Sequence, residues 1–203
     1  MTAATGATVD RSEFRHVLLS GTIVGAVTGA AVVAFLIVSR LLPAGIITSL
    51  VLMIIVLAGG VAAAFLPGFF AASRTVQGVA SAAAIGLWGT IVFMAIDIIL
   101  LRPFKAFPWT WDAIGGGSTW WYLPIWWMLG TFLAWQGAIV TAGRAARGGD
   151  TNIRALALPA AVGGLVVGLG LGLAGVLFMP VAAGAGFVLT LVALALIVLA
   201  RRG

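Results

Sequence analysis

The chain has 203 residues, of which 63% are hydrophobic and 8% charged, with a net charge of +6 and no cysteine. A soluble domain is charged at roughly a quarter of its positions, so this composition excludes a water-facing globule. The missing thiols exclude disulfides, thiolate metal sites and a cysteine nucleophile, and the basic residues stand singly or in pairs at the ends of apolar runs, where they act as topology anchors rather than as a nucleic-acid surface.

About 20 apolar residues in a helix cross the ~30 Å hydrocarbon core of a bilayer. Six such runs follow one another, which predicts an all-α, polytopic integral membrane protein. Residues 1–16 form a polar N-terminal tail, and residues 17–203 form a single transmembrane domain. The first predicted span, 17–38, ends in Ser39-Arg40 and exceeds the roughly 7–15 residues of a signal-peptide core, so a retained helix is expected. The remaining spans are predicted over 44–66, 76–100, 120–143, 156–178 and 182–200. Pro43, Pro67, Pro103, Pro108, Pro124, Pro159 and Pro180 are expected in connections or near helix ends, where their missing N–H does least harm.

With six spans, one side of the membrane carries Arg11, Arg15, Arg74, Arg144, Arg147, Arg154, Arg201 and Arg202. The other carries Arg40, Arg102 and Lys105. This asymmetry predicts that both termini are cytoplasmic. Ten of the eleven basic residues are Arg, and Gly and Ala are abundant; this bias suggests a bacterial source and hence the cytoplasmic (inner) membrane.

Small residues recur at four-residue spacing in three spans: Gly21, Gly25 and Gly29 in the first, Gly78, Ala82 and Gly86 in the third, and Gly164, Gly168 and Gly172 in the fifth. Residues four apart share a helix face, and a face without side chains lets two backbones approach closely. Two readings stand side by side. Helices 1, 3 and 5 meet each other inside the bundle, or one stripe faces a membrane-protein partner or a second copy of the chain.

Seven of the eight tryptophans and the only tyrosine fall between residues 102 and 135. Trp109, Trp111, Asp112, Trp120 and Tyr122 flank the Gly115-Gly116-Gly117 corner. Indole prefers the headgroup level, so an interfacial Trp-rich elbow is expected between helices 3 and 4. The same walls suit an apolar or aromatic ligand such as a lipid, quinone, carotenoid or flat vitamin. Trp127, Thr131 and Trp135 share a face of helix 4 and extend that candidate site downward, with Tyr122, Asp112 and Gln136 as orienting groups. Asp97 lies inside the third apolar run, about four residues or ~6 Å from its end. An ionisable group in a span is a functional candidate, and Asp97 is expected either to anchor structurally, by reaching the interface or pairing with Arg102 or Lys105, or to take a substrate or proton role. His16, the only histidine, is expected at the surface. One histidine and no cysteine leave no metal set, and the residues identify no cofactor.

These features predict a non-catalytic membrane protein surrounded by lipid: an accessory or structural subunit of a membrane complex with a lipid-like ligand site at the elbow. An enzyme acting on lipid or quinone would need Asp97, Asp112 and Tyr122 to converge, which no spacing requires. In size, six spans and cytoplasmic termini the chain is similar to the vitamin-capturing subunits of energy-coupling-factor transporters. That resemblance implies substrate binding for transport, and docking of a coupling partner through Gly21, Gly25 and Gly29.

Overall fold

A computed structural model describes residues 14–101 and 122–201. Among these residues every regular element is a helix. The helices are α1 (Phe14–Leu41), α2 (Ile46–Phe70), α3 (Val76–Ile96), α4 (Tyr122–Ala145), α5 (Ile153–Leu173) and α6 (Met179–Ala200). α3 continues into one π-helical turn, Asp97–Leu101. The six apolar segments run from 21 to 28 residues, or about 32–42 Å, long enough to span a membrane.

The connections carry their own signals. Thr75 accepts from the Gly78 N–H at the start of α3, and Asn152 accepts from the Arg154 N–H at the start of α5, each satisfying one of a helix's orphan donors. The fifth span was predicted to reach residue 178, but α5 stops at Leu173. Gly175 takes φ +69, a left-handed value suited to glycine. The Val176 N–H then reaches back to the Leu171 carbonyl at 3.0 Å, and the Gly175 N–H to that of Gly172 at 3.1 Å. This paired closure ends the helix despite the apolar residues that follow. Pro159 lies inside α5 rather than in a connection, as Pro67 lies inside the last turn of α2.

α2 is the hub of the bundle and contacts every other helix. It carries no charged residue and has the most apolar composition of the six, as a helix touched on many sides should. The most extensive pairings are α5 with α6, α1 with α3, and α3 with α4. The main core gathers Met53, Leu57 and Phe65 of α2 with Phe187 and Leu191 of α6.

The glycine stripes explain the close pairings but not in the predicted combination. α1 and α3 run parallel. A Cβ on Gly21 would lie 2.9 Å from the Ile85 carbonyl oxygen, one on Gly25 2.5 Å from that of Gly89, and one on Gly29 3.3 Å from Ile96 Cδ1. The α5 stripe does not join them. Gly164 and Gly168 face Ala183 of α6, with Leu57 and Met53 of α2 alongside, and Gly172 faces Met179. The stripe of α3 splits: Gly86 faces Ala134 and Gly130 of α4, while Gly78 packs against Ala71, Ala72 and Ser73 in the turn that precedes its own helix. The face that α3 gives to α1 is instead built on Gly89, which was not part of its stripe.

His16 is half-buried rather than at the surface. Its Nε2 lies 3.1 Å from the carbonyl oxygen of Phe70 and 3.4 Å from Ser20 Oγ, tying the first turn of α1 to the last residue of α2.

Candidate functional site

A slot of about 180 Å³ lies between α1, α3 and α4, with Ala63 of α2 beside it. From α3 come Gly86, Thr90, Phe93 and Asp97, whose spacings of four, three and four residues place them on one helix face. α1 contributes Val24, Thr28 and Val32, and α4 contributes Trp126, Gly130 and Leu133, by the same periodicity. From Gly86 to Asp97 the slot follows ~16 Å of helix axis. Asp97 sits at the end nearest the connection between α3 and α4.

Close backbone approach shapes the wall. Gly130 lies directly against Thr90, so that a Cβ there would overlap the Thr90 hydroxyl oxygen. One turn nearer the Asp97 end, the rings of Phe93 and Trp126 meet edge to face, with centroids 6.3 Å apart and planes at 66°, a favourable aromatic geometry.

The polar groups of the slot are few. Thr28 Oγ1 donates to the Val24 carbonyl at 2.9 Å, and Thr90 Oγ1 donates to the Gly86 carbonyl at 2.9 Å. Each hydroxyl proton is thus used within its own helix, and each oxygen keeps lone pairs that can accept. Asp97 is 7% exposed and opens the π-helical turn, a local widening of the helix often found at functional sites. Asp97 is engaged in an interaction within the chain; its Oδ1 is buried and accepts no hydrogen bond among the described residues. Gly29 packs on Ile96, which sets Thr28 within about one turn of Asp97 along the axis.

A second, open groove lies on the outer side of α4, where Trp127, Thr131 and Trp135 line it together with Leu87 of α3. Trp127 and Trp135 are 38% and 45% exposed. Leu129 lines both the slot and the groove, so this one side chain stands between the inner space and the outer surface.

The candidate ligand residues are therefore not gathered in one place. Asp97 lies on the slot. Trp127 and Trp135 lie on the far side of α4, facing outward. Gln136 is buried on α4 and lines neither space. Trp109, Trp111, Asp112 and Trp120 lie outside the described residues, and so does the elbow they were expected to form; Tyr122 begins α4, with its side chain outside the described set. Thr28, Thr90, Phe93 and Trp126 share the slot lining with Asp97; none was among the candidate site residues, although Trp126 belongs to the tryptophan-rich stretch. Their signal was the Gly86–Thr90–Phe93–Asp97 periodicity, which a search for tryptophan clusters passes over.

No protein-family model, curated protein or solved structure matches the chain.

Proposed function

We propose that this chain is a non-catalytic multi-pass membrane protein that holds a small apolar-bodied molecule in the slot between α1, α3 and α4. It would serve as a ligand-binding accessory subunit of a membrane assembly, in a bacterial inner membrane with both termini cytoplasmic. The observation that carries the reading is the slot itself. It is walled by apolar and aromatic side chains, with a few polar groups, as ligand sites generally are. Among the described residues Asp97 is the one ionisable group on its lining, which supports binding over acid–base chemistry, since that calls for a second titratable partner.

The alternative is a small-solute carrier using the same slot. Partner docking through Gly21, Gly25 and Gly29 is less favoured, because α3 already occupies that face. The eight-to-three distribution of basic residues supports the orientation, and the outward Trp127 and Trp135 suit a lipid-facing surface.

The test is purification in mild detergent with mass spectrometry of everything that co-elutes, comparing wild type with Ala63→Leu, which fills the slot. A small molecule present with wild type and absent from a well-folded Ala63→Leu supports the proposal. Equal retention by both overturns it. Uptake of the same molecule into vesicles holding this chain alone would turn the reading toward a carrier.

A further inference from the structure

Resting on the slot as the ligand site proposed above, we infer that it is filled laterally from the bilayer, by a molecule with a single hydrocarbon chain that enters past Leu129.

Leu129 is where the inner and outer spaces meet. Of the α4 side chains, Trp126 and Leu133 line only the slot, and Met128 and Trp135 line only the groove. Among the described residues Leu129 alone lines both. It is 37% exposed, so the wall at this point is one leucine thick. The next residue, Gly130, adds no side chain to the barrier. The seam between α3 and α4 is closed more firmly, by the direct contacts of Gly130 with Thr90 and of Trp126 with Phe93. Leu129 is therefore the weaker point of the wall.

Depth sets the source of the ligand. Leu129 lies five residues inside the apolar segment Pro124–Ala145, or ~8 Å from its end. Leu87, which α3 adds to the groove, lies eleven residues inside Val76–Leu101, or ~16 Å. Segments of this length cross the ~30 Å hydrocarbon core, so the groove opens among acyl chains rather than headgroups. Its lining suits that medium. Among the described residues Thr131 carries its one hydroxyl, and the rest are aliphatic or aromatic side chains and Met128.

Size sets the class of molecule. An apolar cavity of about 150 Å³ holds one benzene ring. The slot offers about 180 Å³, drawn out along ~16 Å of helix. One hydrocarbon chain fits this shape lengthwise, and the two tails of a phospholipid do not.

A leucine can open such a wall without any movement of the backbone. Exposed side chains exchange rotamers within picoseconds to nanoseconds, and a helical leucine has two favoured settings of its first torsion. A chain in passage must hold Leu129 displaced, and that displacement sets how fast the slot fills.

The full chain in phospholipid nanodiscs is mixed rapidly with terminally brominated undecanol, and fluorescence is followed in two forms whose sole indole is Trp126 or Trp135. Trp135 reports arrival of bromine in the bilayer, and Trp126 reports arrival in the slot. Quenching at Trp126 is expected to saturate and to run slower than at Trp135 by about threefold or more. Leu129→Ala should speed quenching at Trp126 by a similar factor, and Leu129→Phe should slow it. Leu189→Ala, at an exposed leucine of α6, should leave it as in wild type. Ala63→Leu should remove the saturable part. Where the sole-indole forms do not fold, wild type and Leu129→Ala are given undecanol bearing a terminal diazirine and photolysed at increasing delays. Mass spectrometry should then find adducts on Met128 before Val24 and Leu133 in wild type, and with a shortened delay in Leu129→Ala. Equal rates at Trp126 and Trp135, simultaneous adducts in wild type, or a delay that Leu129→Ala leaves unchanged would overturn the entrance and leave the slot reading standing. Tail-brominated phospholipid that quenches Trp126 as fully as the alcohol does would overturn the single-chain class. If quenching at Trp126 never saturates, if Ala63→Leu leaves it intact, or if Val24 and Leu133 take no label, the slot reading itself falls.

Discussion

Arg144 donates from Nη1 to the carbonyl oxygen of Ala155 at 3.2 Å, joining the end of α4 to the first turn of α5. In a regular helix the Ala155 carbonyl would accept from the N–H four residues on, and that residue is Pro159. Proline has no N–H, and its ring crowds the carbonyl four residues before it. The guanidinium therefore satisfies an acceptor that the helix abandons. An arginine that the charge count treats as a topology anchor also repairs a helix.

This pairing predicts a coupled mutational pattern. Arg144→Ala should destabilise the protein by ~1.5–3 kcal/mol, the range for a hydrogen bond to a charged group. In a Pro159→Ala background the same change should cost clearly less, because the backbone N–H is restored. Equilibrium unfolding of the four proteins in the cycle measures the coupling; strict additivity would refute it.

The α1–α3 seam predicts that Gly25→Leu acts on the fold. Its Cβ would sit 2.5 Å from the Gly89 carbonyl oxygen and 2.7 Å from Val92 Cβ. Overpacking of this kind costs at least ~1–3 kcal/mol, and backbone cannot move aside as a flexible side chain can. Gly170→Leu is the matched control, since a Cβ there meets nothing within 4 Å. Melting temperature should fall for the first and stay near wild type for the second. A stable Gly25→Leu protein that loses only a co-eluting partner would mean that the stripe faces outward after all.

The two sides of α4 predict different lipid contact for neighbouring tryptophans. With Trp135 as the sole indole, brominated acyl chains should quench fluorescence strongly. With Trp126 as the sole indole, half-buried against Phe93, quenching should be weaker. Equal quenching would contradict the inward placement of Trp126, and an absence of quenching at both would contradict the membrane reading.

His16→Ala should cost ~1 kcal/mol through loss of the contact with the Phe70 carbonyl, visible as a lower unfolding midpoint. An unchanged midpoint would return this histidine to the role of a surface residue.

The existence and order of all six helices were legible in the sequence. Apolar runs of this length have one stable form in a bilayer, where every backbone polar group must be satisfied internally. Helix ends were legible where a capping residue or proline marks them, as at Thr75. The end of α5 was missed because the apolar run continues past Leu173, and only the left-handed turn at Gly175 stops it.

The site was less legible. Asp97 stood out because a carboxylate in an apolar run is conspicuous, whereas Thr28, Thr90 and Phe93 are ordinary helix residues whose importance depends on what faces them. Trp127 and Trp126 are adjacent in sequence and about 100° apart around the helix, so one faces the groove and the other the slot. Tryptophan density could not separate them.

What the sequence determined by itself is the class of protein: composition selects the solvent, and run length selects helices able to span it. What the tertiary structure decided is which faces meet. Gly21, Gly25 and Gly29 are a small-residue stripe whatever they touch; α3 covers them only because Gly89 and Val92 come to the same level in a parallel helix. Helix pairing in an apolar bundle depends on shape complementarity between residues far apart in the chain. That is why the slot between α1, α3 and α4 became visible only once the helices were packed.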